Sequence, residues 1–126
     1  MAEIDPGRIA LRFVNEINRH DLEALEGLMA PDFRRVDPSG QETLGRGRGC
    51  AAWAEEFRRT PDLRLAIHDH LCQGSVIALF GTASGTRLGG VGLPRQHWVV
   101  PTAWRVVVRD ARIAEWQVFS PPEPDR

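Results

Sequence analysis

The chain has 126 residues, enough for one domain with its own core, and carries a net charge of −1 with 42% hydrophobic and 26% charged residues. That balance gives no basic excess for nucleic acid or for an anionic membrane surface. All sixteen cations are Arg and Tyr is absent, which excludes a Schiff-base lysine, a P-loop lysine and any phenolic acid, base or oxyanion donor.

The opening residues, Met1 to Pro6, lack the basic and apolar regions of a signal peptide, and no apolar run approaches the roughly 20 residues that cross a bilayer. A cytoplasmic setting is the expectation. Asp5-Pro6 starts a helix, with Asp as N-cap and Pro in the first turn. Ile9, Ala10, Phe13, Val14 and Ile17 follow at helical spacing. Asp21 caps a second helix bearing Leu22, Leu25, Leu28 and Met29, which Pro31 should end. Phe33 to Asp37 reads as a strand, stopped by Pro38-Ser39-Gly40. A glycine-rich loop spans Gly45 to Gly49, and a third helix runs from about Cys50 to Arg59, with Trp53 and Phe57 on its apolar stripe.

Strands make up the remainder. Leu63, Leu65 and Ile67 alternate with Arg64, Ala66 and His68. Gln73-Gly74 is a hairpin turn before a long strand from Ser75 to Arg87, in which Gly81 and Gly85 are expected to bulge or bend. Leu88 to Arg95 is a loop. His97 to Arg109 is a strand interrupted by Pro101, Asp110-Ala111 is a tight turn, and Arg112 to Phe119 is the last strand. Ser120 to Arg126 reads as a loose tail. Helices first and antiparallel strands after predict one α+β domain over residues 1–126, with the helices on one face of the sheet. Cys50 and Cys72 make neither a disulfide framework nor a zinc cluster and read as small buried hydrophobes. Gly47-Arg48-Gly49-Cys50-Ala51-Ala52 superficially fits a dinucleotide fingerprint but lacks the preceding buried strand.

Several segments together resemble SnoaL-like polyketide cyclases, within the nuclear-transport-factor-2-like superfamily. They are Phe13 to Leu25, Val36-Asp37-Pro38-Ser39-Gly40 with the glycine loop and helix behind it, and Pro61-Asp62-Leu63-Arg64. Gly81-Thr82, Gly85-Thr86, Gly92-Leu93-Pro94 and Trp104 to Trp116 complete the set. The resemblance implies a cone-like, curved antiparallel sheet packed against the three helices, an apolar pocket, and a homodimer. It also implies cofactor-free chemistry, with no metal. The superfamily hosts cyclases, isomerases, dehydratases, epoxide hydrolases and inactive binding proteins, so fold alone does not choose among them.

Asp37 is the candidate catalytic residue. It matches the strand position at which ketosteroid isomerases, which this stretch resembles, carry a proton-transferring Asp. In an apolar pocket such a carboxylate would have a raised pKa and act as a base near neutral pH. The alternative is a turn residue that caps Pro38-Ser39-Gly40. Two departures from the isomerase pattern stand out. Phe13 replaces the oxyanion tyrosine, and Ala103 or Trp104 replaces the protonated acid. Arg35, two residues before Asp37 on the strand, shares its face and could orient an anionic oxygen or pair with Asp37. Phe13, Trp53, Phe57, Trp104 and Trp116 are the candidate walls for a flat apolar ligand, or else core packing. Alternation puts Glu115 and Trp116 on opposite faces. Trp116 is expected inward, and a reversed register would make Glu115 a rival to Asp37. His68 and His70 offer two imidazoles, too few for a metal site without converging partners.

These readings favour a cofactor-free enzyme that transfers a proton on a small apolar or aromatic carbonyl compound. A non-catalytic binding or interaction domain is the alternative, and an epoxide hydrolase built around Arg35 and Asp37 is a third.

Overall fold

A computed structural model describes residues 5–87 and 92–121. The elements run α1 (Pro6–Asn18), α2 (Leu22–Leu28), β1 (Met29–Val36), β2 (Glu42–Leu44), α3 (Arg46–Arg59), β3 (Arg64–Gln73), β4 (Val76–Arg87), β5 (Gln96–Arg109) and β6 (Arg112–Phe119). Both predicted caps form: the Asp5 side chain accepts from the Gly7 N–H and that of Asp21 from the Ala24 N–H. His20 between the two helices takes the left-handed conformation (φ 55°) that reverses the chain.

The six strands form one mixed sheet in the order β2-β1-β6-β5-β4-β3. All neighbours are antiparallel except β1 and β6, which pair in parallel. One face of the sheet takes the helices. Ala10, Phe13 and Ile17 of α1 and Leu25 of α2 are buried with Ile77, Leu79, Val106 and Trp116 of the strands.

Several boundaries differ from those expected. Helix α2 ends at Leu28, and Met29 is already extended (φ −87°, ψ 137°) as the start of β1. Pro31 therefore lies inside a strand instead of ending a helix. It is tolerated because the pairing of β1 with β6 is irregular between Met29 and Arg34, where a missing N–H breaks no regular ladder. The short strand β2 was not foreseen, and it pairs with Arg34 to Val36. Helix α3 begins at Arg46, four residues early, and so takes in most of the glycine loop. Gly49 explains the composition there. A Cβ on it would stand 2.6 Å from the Phe33 ring, so glycine lets α3 lie directly on β1.

The bulges also fall elsewhere. Strand β4 pairs with β5 without a register shift through Gly81 and Gly85, and the irregularity is in β3, between Ile67 and Asp69. Gly81 lies opposite it, where a Cβ would meet the Ala66 carbonyl oxygen at 1.8 Å. Pro101 does not interrupt β5. Pairing with β6 begins only at Ala103, so at Pro101 the strand has a neighbour on one side alone. A shift in β6 between Glu115 and Ile113 inserts Ala114 as an extra residue, and both Ile113 and Trp116 then face the core. Of the expected loop and tail, residues 88–91 and 122–126 lie outside the described residues, and Gly92 to Arg95, Ser120 and Pro121 belong to no strand. No helix among the described residues is long and apolar enough to cross a membrane.

Candidate functional site

The inward face of β5 is written in its alternation: Trp98, Val100, Thr102 and Trp104 are buried, while Val99 and Pro101 between them are exposed. Trp116 and Val118 on β6, Arg35 on β1, Leu65 on β3 and Ala83 on β4 extend this face. Trp53 and Glu56 of α3 close it from above. Together they enclose a cavity of about 130 Å³ to which all four tryptophans contribute. Of the expected ligand-binding residues, Arg35, Trp53, Trp104 and Trp116 line it. Phe13 and Phe57 are not among its walls. Phe13 is fully buried behind them, against Trp53 (6.0 Å between ring centroids) and Trp116 (5.1 Å). Phe57 stacks on His20 at 4.2 Å with an interplanar angle of 9°.

One wall is polar. The Arg35 guanidinium lies over the Trp53 ring, 4.6 Å from its centroid, and its Nη2 donates to Glu56 Oε1 at 3.2 Å. Arg59 Nη2 reaches the same carboxylate oxygen at 3.4 Å. Arg35 faces the cavity because the parallel register sets it beside Trp116, whereas Arg34 stands beside Glu115 on the outer face. Glu115 does point outward, held there by Arg34 at 3.3 Å and Arg105 at 2.8 Å. Three N–H donors in the cavity-lining residues, Arg35 Nε, Trp53 Nε1 and Trp116 Nε1, are buried with no acceptor among the described residues. Leaving such a donor unmatched costs on the order of 1–3 kcal/mol.

Asp37 lies one residue past the end of β1, outside this cavity. Its Oδ1 accepts from Ser39 Oγ (2.6 Å), Ser39 N (2.9 Å) and Gln41 N (3.0 Å). It lines a second, polar cavity of about 230 Å³ with Gln41, Thr43 and Arg59. That cavity shares Arg35, Pro38 and Glu56 with the first. Partial burial would raise the Asp37 pKa, but the Ser39 hydroxyl, the two backbone donors and the Arg35 charge outweigh it and hold the carboxyl below its ordinary range. The raised pKa expected of a base in an apolar pocket is thus not found at Asp37.

Glu56 and Trp98 escaped the sequence reading. The signal for Glu56 was its place three residues after Trp53, which sets both on one helix face. For Trp98 it was the alternation that it begins in β5. His68 and His70 stay on the edge strand, and no three His, Cys, Asp or Glu side chains converge as metal ligands among the described residues.

The family model for the SnoaL-like domain matches residues 10–116. Among solved structures, a candidate SnoaL-like polyketide cyclase from Jannaschia sp. CCS1 superposes with a TM-score of 0.79 at 21% identity, over 95% of this chain and 91% of that one. One from Shewanella denitrificans OS-217 gives 0.82 at 15%, over 92% and 90%. IdmH from Streptomyces antibioticus, a candidate polyketide cyclase, gives 0.80 at 24%, over 93% and 92%. At these identities the likeness is one of fold. No protein of curated function matches the sequence.

Proposed function

The chain belongs to the SnoaL-like domain family, and on that premise we propose that it is a cofactor-free enzyme that transfers a proton on a small apolar carbonyl compound. The reaction is of the cyclase, isomerase or dehydratase type. The observation that carries this reading is one cavity walled by four tryptophans with the paired Arg35 and Glu56 on its polar side. The guanidinium on that side would receive a carbonyl oxygen, while tryptophan faces suit a flat apolar body. The cavity volume matches one ring, since an engineered cavity of about 150 Å³ takes up benzene. The adjoining polar cavity would receive any oxygen-bearing remainder of a larger substrate.

The test is hydrogen exchange. Cyclohexanone, acetophenone and 1-tetralone are incubated with the protein in D2O, and deuterium at the carbon beside the carbonyl is followed by NMR. Incorporation above the protein-free rate is the expected result. Saturable quenching of tryptophan fluorescence with no exchange for any ketone would sink the catalytic reading. It would favour a binding module instead, the alternative suggested by Phe13 and by Ala103 or Trp104 at positions where the isomerase pattern has oxyanion donors.

The protein would act as a homodimer joined through the outer sheet face, where Phe80, Ala103 and Phe119 form one row across β4, β5 and β6 and Val99 lies on the same face four residues away along β5. Phe80, Val99 and Phe119 are 41%, 56% and 51% exposed, an apolar surface of the kind that marks association. Analytical ultracentrifugation checks this, and a monomer at micromolar concentration would refute it.

A further inference from the structure

We propose that Glu56 is the proton-transferring group of this site and that Arg35 holds the oxyanion formed when Glu56 takes the proton. The inference rests on the proton-transfer reading above and assigns the residues that would carry it out. Among the described residues that line the tryptophan cavity, Glu56 is the one carboxylate and Arg35 the one cation. Both side chains are largely buried, at 19% and 15% exposure. Glu56 Oε1 accepts from both Arg35 (3.2 Å) and Arg59 (3.4 Å), and the Arg35 guanidinium lies against the face of Trp53.

The chemistry needs a base beside a place for negative charge. In the step, the Glu56 carboxylate forms an O–H bond with the hydrogen on the carbon next to the ketone carbonyl. The C–H electron pair becomes the carbon–carbon π bond of an enolate, and the carbonyl π pair moves onto oxygen. Negative charge passes from Glu56 to the enolate oxygen, and Arg35 adjoins one anion before the step and one after it. An Arg N–H donor set therefore takes the place of the tyrosine and protonated acid that Phe13 and Ala103 or Trp104 cannot supply. Return of the proton from Glu56 to the same carbon regenerates the ketone, and its delivery to a different carbon of an extended enolate completes an isomerisation. In D2O the carboxyl group first exchanges with solvent, so carbon acquires deuterium.

The experiment compares the full-length protein with Glu56→Gln, Glu56→Asp and Asp37→Asn, using acetophenone and cyclohexanone as probes. Tryptophan quenching reports occupancy and deuterium incorporation reports proton transfer. Glu56→Gln should bind each ketone within about threefold of wild type while exchange at saturation falls on the order of 100-fold or more. Glu56→Asp keeps the charge opposite Arg35 and moves it back by one methylene, so it should fold, bind and exchange at an intermediate rate. Exchange by both Glu56 variants within about threefold of wild type at matched occupancy overturns the proposal. So does loss of binding together with exchange in both, which would make Glu56 structural. Loss of exchange in Asp37→Asn alone would return the role to Asp37. A wild-type protein that binds the ketones but exchanges none identifies the failure as that of the proton-transfer reading, and the Glu56 assignment falls with it.

Discussion

At Asp37 the same carboxylate that suggests a base is occupied as the hub of the β1–β2 turn. Three donors converge on one oxygen, and the Gly40 N–H returns to the Asp37 carbonyl at 2.9 Å. A carboxyl group held below its unfolded pKa stabilises the fold above that unfolded value, about 3.9, and the contribution is lost as the pH falls through the folded pKa. Ser39→Ala removes the 2.6 Å hydroxyl donor. It should cost about 0.5–1 kcal/mol at pH 7, the low end of the range because the turn borders solvent. The cost should disappear once the carboxyl is protonated in wild type as well. Urea unfolding at pH 7 and at successively lower pH checks this. The penalty should shrink as the pH falls through the folded pKa, and a penalty that never shrinks down to acid unfolding would show that the ionised carboxylate is not what Ser39 serves. Position in sequence brought Arg35, Trp53, Trp104 and Trp116 to one common cavity because alternation and helical spacing set the direction of each side chain. Glu56 was overlooked because the apolar stripe of its helix drew the reading to Phe57, one residue further on.

The elements were legible where one periodicity persists and obscure where it breaks. The long strands β4 and β5 fell within one or two residues of their expected spans, and both N-caps were readable from Asp followed by a helical apolar pattern. Bulges depend on which partner strand lies alongside, and nothing local announces them. Strict alternation from Ile113 would put Glu115 in the core, and Ala114 as the inserted residue is what turns Trp116 inward. The β5–β6 turn was anticipated, and its geometry adds a test. Asp110 and Ala111 both have positive φ, 53° and 62°, as a two-residue hairpin loop requires. Alanine is strained in that conformation by about 1 kcal/mol or more, so Ala111→Gly should stabilise the protein by about 0.5–1 kcal/mol and raise Tm by about 2–5 °C. Calorimetry would detect the shift, and an unchanged or lowered Tm would mean that glycine's extra freedom in the unfolded chain cancels the relief.

Across the whole molecule, the strands that wall the cavity on one face carry the apolar row of Phe80, Ala103 and Phe119 on the other. On the reading proposed above, a single curved sheet separates the ligand site from the association surface, and substitutions at Phe80 or Val99 should alter assembly while leaving the cavity walls in place. Among the described residues the sheet also has two open edges, of which β3, ten residues long, is the greater. Near its start the edge is occupied: the Asn18 carboxamide donates to the Leu65 carbonyl (2.9 Å) and accepts from the Leu65 N–H (2.8 Å), in place of a neighbouring strand. Further along, where Leu71 is 66% exposed, the irregularity between Ile67 and Asp69 and the charge of Asp69 take over. A kinked, charged rim of this kind is a poor template for another chain's backbone, which protects a sheet protein against fibril growth. Deleting His68 would straighten the rim. The shortened protein should then develop thioflavin-T-positive aggregates faster than the parent at equal concentration, and equal rates would mean that the kink has no part in solubility.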